Sequence, residues 1–264
     1  MLRRLFLSLL ALSFSAGFLA GAEPPLTLRV LTYNIHHGEG ADQKFDLDRI
    51  AKVIQSAKPD LVALQEVDQA TQRSSQGDQL ARLAELTGLR PAYGKAMDFQ
   101  GGGYGVGVLS RFPIKESRTH PLPAGKGTEP RVVLETIIRI VESGPDLRFL
   151  VTHVDHRSDP TARAAQIARI RELFPPNASD NLTAILAGDL NATPDSEVIR
   201  SLGADWTDSA AAQHFLTCPA DSPKVKIDYI LFRPATAWRV IETRALNEPI
   251  ASDHLPVLTV FEKR

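Results

Sequence analysis

Reactive and cross-linking residues are scarce in this sequence: its 264 residues include one cysteine, two methionines and two tryptophans. One cysteine excludes a disulfide within the chain, and Cys218 has no histidine or aspartate next to it that would indicate a thiol nucleophile. Charge of either sign is not in excess, since the formal net charge is -1. These absences exclude a disulfide-stapled extracellular module and give no sign of a strongly basic nucleic-acid-binding domain.

Long apolar runs are also scarce, and the most prominent one lies at the N-terminus. Arg3 and Arg4 precede an almost wholly apolar stretch, 5–19, which is followed by the small residues 20–22. This order is typical of a secretory signal peptide, and the stretch is shorter than the roughly 20 residues of a membrane span. We expect cleavage after Ala22, a secreted or periplasmic protein, and no stable membrane span afterwards; a retained anchor is the alternative.

The remaining chain has the composition of one globular domain. Hydrophobic residues make up 43% of the sequence, which is enough for a sizeable core. No repeat, low-complexity tract or long linker divides residues 23–264. We therefore expect a single domain over 23–264, and a monomer.

The spacing of apolar residues indicates an α/β protein. Segments 26–33 and 61–64 are predicted strands, and the apolar residues of 47–57 recur at helical spacing between them. Such a strand–helix–strand unit is typical of layered α/β folds. The other predicted strands are 106–110, 132–141, 147–152, 184–187, 227–232 and 255–261, and the other predicted helices are 79–86 and 160–174. The glycine-rich segment 101–105 predicts a flexible loop, and no Lys-Ser/Thr pair follows that would make it a phosphate-binding loop.

Metal-binding or proton-transferring side chains lie at the ends of these strands or within them. They are Asn34, Glu66, His153, Asp189, Asn191, Asp228, Asp253 and His254. Taken singly, an Asp or Asn after a strand is commonly a turn former or helix cap. Glu66 is harder to explain in that way, because a buried carboxylate needs a partner. The repeated occurrence of such residues predicts one shared rim and an enzyme.

Their chemistry fits the hydrolysis of a phosphate ester, which needs a cation, a positioned water and help for the leaving oxygen. Glu66 suits Mg²⁺, which prefers hard oxygen ligands, and Asn34 and Asp253 are candidates to complete or flank that site. Asp228 and His254 form a candidate dyad in which the carboxylate orients the imidazole and raises its basicity.

Three further residues complete the predicted site. Asp189 and Asn191 are two positions apart after a strand, so we expect them to point the same way and to hold water and a phosphate oxygen. His153 is expected to be a second imidazole on the other flank of the reacting phosphate, with a satisfied interior histidine as the alternative.

The same residues lie in motifs that resemble the endonuclease/exonuclease/phosphatase superfamily across essentially the whole mature chain. The matching blocks, in the family's order, are Thr32-Tyr33-Asn34-Ile35, Leu64-Gln65-Glu66-Val67, Leu109-Ser110-Arg111-Phe112-Pro113, Thr152-His153, Gly188-Asp189-Leu190-Asn191, Ile227-Asp228-Tyr229 and Ser252-Asp253-His254. The resemblance implies a four-layer α/β sandwich, with two mostly antiparallel mixed sheets packed face to face and helices outside. It also implies Mg²⁺- or Mn²⁺-dependent hydrolysis of phosphoesters.

The resemblance also implies roles for the matching residues. Glu66 would be the main metal ligand, with Asn34 and Asp253 near it, and Asp228 would support His254 as the base. Asp189 and Asn191 would orient water and phosphate. His153 lies where relatives similar to pancreatic deoxyribonuclease and sphingomyelinase have a catalytic histidine.

Some positions depart from the family pattern or leave a choice open. Val106-Gly107 stands where many relatives have an Asn-Ala pair, so no role for an asparagine is transferred there. Arg131 resembles a phosphate-contacting arginine of some relatives, with a surface salt bridge as the alternative. His36 and His37 follow the first strand and are candidate substrate contacts, because functional residues concentrate on such loops.

The sequence therefore predicts an exported, divalent-metal-dependent phosphodiesterase or phosphatase. Its substrate would be a nucleic acid, a phospholipid headgroup or a small phosphodiester. A secreted endo- or exonuclease is the first alternative, and basic and aromatic residues flanking the cleft would favour it. The second is an envelope protein of the same fold that only binds a ligand. Idle carboxylates gathered at one rim would repel each other, which argues against it.

Overall fold

The computed structural model of the protein describes residues 25–125, 127–142, 144–177, 180 and 182–264. The predicted signal peptide, 1–22, lies outside these residues. Within them, none of the helices has the length and apolar character needed to cross a membrane.

Twelve strands and four α-helices make up the described part of the chain. The strands are β1 (Thr27–Asn34), β2 (Leu61–Gln69), β3 (Arg90–Phe99), β4 (Gly102–Ser110), β5 (Ile114–Pro121), β6 (Val132–Ile138), β7 (Leu147–His153), β8 (Thr183–Asp189), β9 (Thr207–Asp208), β10 (Asp228–Arg233), β11 (Trp238–Ala245) and β12 (Val257–Lys263). The helices are α1 (Leu47–Ala57), α2 (Gln79–Thr87), α3 (Thr161–Leu173) and α4 (Glu197–Leu202).

These strands form two six-stranded mixed sheets. The first has the order β11-β12-β1-β2-β4-β3 and the second has the order β5-β6-β7-β8-β10-β9. In each sheet one central pair is parallel, β1 with β2 and β7 with β8. The connections of these pairs contain α1 and α3, because a parallel pair needs a crossover.

Three separate apolar clusters show that the molecule has four layers. One cluster lies between the sheets and includes Val30, Phe149 and Phe261. A second packs α1 and α2 on the outer face of the first sheet, and a third packs α3 and α4 on the second sheet. The predicted four-layer α/β sandwich with helices outside is confirmed.

Some sequence predictions about individual elements were wrong. Segment 101–105 is not a flexible loop, because β4 runs through it. A side chain at Gly105 would place its Cβ 2.1 Å from the carbonyl oxygen of Gly94 on the neighbouring strand, so this glycine permits close strand pairing. The strand predicted at 61–64 continues to Gln69. Strands β3, β5, β9 and β11 and helix α4 had no predicted counterpart.

Candidate active site

The polar residues predicted from strand ends converge because of how the strands pair. In the second sheet His153 lies opposite Asp189 in the parallel β7–β8 pair, and Asp228 lies opposite Asp189 in the antiparallel β8–β10 pair. In the first sheet Asn34 lies opposite Gln65, next to Glu66. The ends of β1, β7 and β8 and the start of β10 therefore meet at one rim, which both sheets share.

A β-bulge brings Glu66 to this rim. The register between β2 and β4 shifts between Leu64 and Val67, and Glu66 has a φ of 59°, in the left-handed region that is unusual for a glutamate. Bulges re-aim side chains next to active sites. The Glu66 side chain is 21% exposed, so its carboxylate is accessible from the cleft.

Asn34 links the carboxylates of the two sheets. Its side-chain amide Nδ2 donates to Glu66 Oε1 and to Asp189 Oδ2, each at 3.2 Å, and its Oδ1 accepts from the backbone N–H of His36. Burial by itself would raise the pKa of Glu66, but the nearby His37 ring and the Asn34 amide hold it well below its usual range. Glu66 is therefore an ionised carboxylate.

Asp228 and His254 form the predicted dyad. His254 Nδ1 lies 3.0 Å from Asp228 Oδ2, and both residues are buried. Burial opposes the charge on His254, but the charge and hydrogen bond of Asp228 outweigh it and raise the pKa of His254 far above its ordinary value. His254 Nε2 lies 3.7 Å from Asp189 Oδ2. Burial and the charge of Asp228 raise the pKa of Asp189 to about 7.

His153 approaches the same carboxylate from the other flank. Its Nε2 lies 3.5 Å from Asp189 Oδ2, and its Nδ1 accepts a hydrogen bond from Arg131 Nη1 at 3.1 Å. An arginine only donates, so the proton of neutral His153 is on Nε2, which faces the cleft. Burial and the positive charge of Arg131 lower the pKa of His153 well below its ordinary value. His153 is thus a neutral hydrogen-bond donor.

Arg131 is buried rather than surface-exposed. Besides His153, it contacts Tyr104 Oη at 3.5 Å, His156 Nδ1 at 3.4 Å and Glu129 Oε2 at 2.9 Å. Only 3% of it is exposed, which argues against the alternative of a surface salt bridge. Its contacts make it a positioning residue for the histidine side of the cleft.

These side chains line a cleft of about 280 Å³. Its walls include Glu66, Arg73, Met97, Phe99, Tyr104, Glu129, Arg131, His153, His156, Asp189, Asn191 and His254. Arg73 binds both carboxylate oxygens of buried Asp68, at 2.7 and 2.9 Å, and its guanidinium lies 4.7 Å from the centre of the Phe99 ring. One wall is therefore a rigid arginine–aromatic surface.

The other predicted site residues are placed as follows. The Asn191 backbone N–H donates to Asp189 Oδ1 at 2.8 Å, and its side chain donates to the carbonyl of Val154. Asp253 lies next to His254, and its carboxylate contacts Ser252 Oγ at 3.4 Å. The hydrogen bonds that join Asn34, Glu66 and Asp189 do not include it. The roles of Asp253 and of Asn34 as metal ligands stay predictions.

Sequence reasoning missed Tyr104 and His156 as cleft residues, and it left open whether Arg73, one of several scattered basic loop residues, flanks the cleft. Tyr104 was hidden by the interpretation of its glycine-rich segment as a loop, although it is 6% exposed on β4. Arg73 and His156 lie on connections where charged residues are expected without any function. Their positions follow only from contacts with Asp68 and Arg131.

The donor set of this rim fits a divalent cation. One potential ligand atom from each of His36, His37 and Glu66 lies within 4.8 Å of the other two, and the same holds for Asp189, Asp228 and His254. An ionised, accessible carboxylate such as Glu66 is a suitable ligand for a hard divalent ion.

Comparison with known proteins agrees with this arrangement. A model described as "Endonuclease/Exonuclease/phosphatase family" matches residues 31–254, from β1 to His254. The chain belongs to this family. Members of the endonuclease/exonuclease/phosphatase family hydrolyse phosphoester bonds, and the rim described above lies within the matched region.

Three of the proteins similar to this chain are distant from it in sequence. Protein YbhP of Escherichia coli K12 is 27% identical over 244 residues, which cover 88% of this chain and 94% of YbhP. A crystal structure from Beutenbergia cavernae is 24% identical with a TM-score of 0.72, over 90% of this chain and 72% of that one. A mannosyl-6-phosphatase from Bacteroides thetaiotaomicron is 20% identical with a TM-score of 0.72, over 89% and 99%. At these identities the two structures show the shared fold alone.

Proposed function

We propose that this protein is an exported, divalent-metal-dependent hydrolase of small phosphoesters. The observation that carries the proposal is the junction at Asp189, where Asn34 and Glu66 of one sheet meet His153, Asp228 and His254 of the other. Export rests on the signal-like segment 1–22 alone. N-terminal sequencing of the mature protein checks it, and an intact Met1 would contradict it.

Glu66 is the residue that would hold the cation, with Asn34, whose amide donates to it, and Asp253 as the other expected ligands. When bound there, a divalent cation supplies positive charge that polarises the phosphate and offsets charge on its nonbridging oxygens. The low pKa of Glu66 supports this role, because the carboxylate is charged throughout the neutral range.

The proton chemistry is divided between Asp189 and His254. His254 is held protonated by Asp228, so its Nε2–H donates to a phosphate oxygen. Asp189, with a pKa of about 7, is the group that accepts the proton of the attacking water. This assignment revises the sequence-based expectation that His254 is the base, because an imidazole that keeps its proton cannot take another.

His153 stabilises the leaving side of the reaction. Its Nε2–H and the Nε2–H of His254 both face Asp189 Oδ2, and Arg131 binds the opposite nitrogen of the His153 ring. A neutral imidazole is a poor proton donor, so His153 stabilises the pentacovalent phosphate through a hydrogen bond rather than by protonating the leaving group. The leaving oxygen departs with the electron pair of the broken P–O bond and takes its proton from solvent. Asn191 keeps Asp189 oriented through its backbone N–H.

The cleft favours a small substrate over a nucleic acid. Its volume of about 280 Å³ lies just below the usual range of small-molecule sites, which begins at about 300 Å³. Its two arginines, Arg73 and Arg131, are paired with Asp68 and Glu129, so they do not form a free cationic track for a phosphate backbone. A ligand-binding role without catalysis is disfavoured, because the charge of Asp228 destabilises that of the buried Asp189.

Removal of metal tests the proposed function. We expect EDTA to abolish the hydrolysis of bis-p-nitrophenyl phosphate or p-nitrophenyl phosphate, and Mg²⁺ or Mn²⁺ to restore it. A panel of DNA, RNA, sphingomyelin, glycerophosphodiesters and sugar phosphates then identifies the substrate class. Turnover confined to DNA or RNA would favour the nuclease, and no turnover of any phosphoester with either ion would refute the enzyme.

Replacing Asp228 with asparagine tests the division of proton roles. The change removes the charge that raises the pKa of His254, so His254 loses its proton at lower pH. We expect the alkaline limb of the profile of kcat/KM against pH to move to lower pH, and activity at pH 8 to fall about 10²-fold. The acidic limb should also move to lower pH, because the charge of Asp228 raises the pKa of Asp189 as well. A base role for His254 predicts instead no loss of activity at alkaline pH, since deprotonated His254 would then be the active form. Asp221→Asn, at an exposed position, is the control.

A further inference from the structure

Two consecutive histidines lie next to Glu66 and take no part in the proton transfers assigned to Asp189 and His254. His36 and His37 form a short 3-10 turn directly after β1, and each has a φ of 44°. Left-handed conformations at two successive non-glycine residues are strained, and such strain clusters at functional sites. The two rings lie 4.5 Å apart between their centres.

Glu39 fixes one nitrogen of each ring. His36 Nδ1 lies 3.1 Å from the backbone oxygen of Glu39, and His37 Nε2 lies 3.4 Å from the carboxylate oxygen Oε2 of Glu39. Both oxygens only accept, so each of these nitrogens carries the proton of its ring. The lone pairs of the neutral rings are therefore on His36 Nε2 and His37 Nδ1. Histidines that bind metals have this arrangement, in which the second nitrogen donates to a carbonyl or carboxylate.

The free nitrogen of His37 faces a carboxylate without any hydrogen bond. His37 is 8% exposed, its buried Nδ1 has no hydrogen-bond partner, and it lies 3.8 Å from Glu66 Oε2. A lone pair and a carboxylate oxygen repel each other, so the approach of these two atoms requires either a proton on this nitrogen or a cation between them. Buried polar atoms in proteins are nearly always satisfied, so this pair of acceptors indicates a missing cationic partner.

We propose that His36, His37 and Glu66 form one metal site with two imidazole nitrogens and a carboxylate. Mg²⁺ takes oxygen ligands and retains water, whereas imidazole nitrogen favours first-row transition ions. The ion held at Glu66 is accordingly a first-row transition ion rather than Mg²⁺, and Mn²⁺ serves as a paramagnetic probe of that class. This inference rests on the proposed metal-dependent function in that both place the cation at Glu66, and it specifies the class of ion.

Pulsed electron paramagnetic resonance of the Mn²⁺-loaded, unmutated protein tests the site directly. We expect nuclear couplings from directly bound imidazole nitrogen. Failure to bind Mn²⁺, or a bound Mn²⁺ without nitrogen coupling, would overturn the proposal. A protonated His37 that simply bridges Glu39 and Glu66 as an ion pair gives that second outcome.

Variants assign the nitrogens to individual residues. His36→Gln and His37→Gln should each remove part of the nitrogen coupling and weaken Mn²⁺ binding by at least about 10-fold in calorimetric titration, with little change in the weaker binding of Mg²⁺. His214→Gln, at an exposed position elsewhere, should change neither. Circular dichroism confirms that the variants are folded. Unchanged coupling in both histidine variants contradicts the assignment.

The measurements separate this inference from the proposed function. Nitrogen coupling in a protein that hydrolyses no phosphoester with any ion would support the proposed metal site and refute the proposed hydrolase function. Hydrolysis supported equally by Mg²⁺, together with Mn²⁺ that shows no nitrogen coupling, would preserve the enzyme and refute the histidine site.

Discussion

Replacing Glu66 with glutamine is expected to lower kcat/KM for bis-p-nitrophenyl phosphate by about 10³-fold or more. Loss of the charge that holds the cation removes several kcal/mol of transition-state stabilisation, and each 1.4 kcal/mol or so is a factor of ten. Glutamine retains the oxygen that accepts from Asn34 Nδ2, so the domain should stay folded. Steady-state kinetics with saturating Mn²⁺ and with Mg²⁺ measure the loss.

Thermal unfolding separates the loss of the cation from a loss of structure. In EDTA the Glu66→Gln variant should stay folded but melt moderately below the original protein, because it loses the charge whose contacts with His37 and Asn34 hold the pKa of Glu66 low. On addition of Mn²⁺ only the original protein should gain stability, since a ligand stabilises only the state that binds it. Glu116→Gln, on the exposed face of β5, is the matched control. Undiminished turnover in the Glu66 variant would refute its assignment.

Replacing His254 with alanine is expected to affect both activity and stability strongly. Activity should fall by about 10²- to 10⁴-fold, the usual contribution of a proton-handling group. The change also leaves Asp228 buried without a counter-charge, and removing one partner of a buried ion pair destabilises by about 3–5 kcal/mol. Urea unfolding at pH 6 measures the second effect, and the domain should remain folded.

The pH dependence of that stability difference has a definite sign. The folded-state pKa of His254 is raised above its ordinary value of 6.5, so its stabilising contribution is fully present below that pH. The contribution is lost as the pH rises toward the folded-state pKa. The difference between the two proteins should therefore be largest near pH 6 and decrease at alkaline pH. A difference that grows with pH would contradict a protonated His254.

A second substitution distinguishes the unpaired charge from a simple cavity. Adding Asp228→Asn to His254→Ala should recover much of the stability, because no charge remains buried, but none of the activity. The control is His120→Ala: His120 pairs with Glu135 at 2.8 Å, and Glu135 keeps Arg148 as a second partner, also at 2.8 Å. The loss of stability in His120→Ala should be smaller than that in His254→Ala. If the double variant is no more stable than His254→Ala, the ion pair is not the cause.

The residues of the candidate active site could largely be predicted from the sequence. Asn34, His153, Asp189 and Asp228 stand where apolar runs end or begin, and a buried strand is a strong local signal. Strands with few buried residues gave no such signal, and β5, which is exposed along most of its length, was missed for this reason.

Contacts between distant segments could not be predicted. The bulge that turns Glu66 toward the rim arises from the pairing of β2 with β4, about 40 residues apart. The sequence left open whether Arg131 belongs to the site or forms a surface salt bridge, and its contact with His153 Nδ1 places it in the site. His37 gave no sign of being buried against Glu66.

The types of chemical group, their order along the chain and the layered α/β class were determined by the sequence alone, because side-chain chemistry and apolar periodicity are local properties. Only the tertiary structure decided which oxygen faces which nitrogen and hence which groups keep their protons. Those relations depend on strand register, burial and charge separation between residues far apart in the chain. They are the reason that the pKa of His254 is raised, the pKa of His153 is lowered and the pKa of Asp189 is raised to about 7.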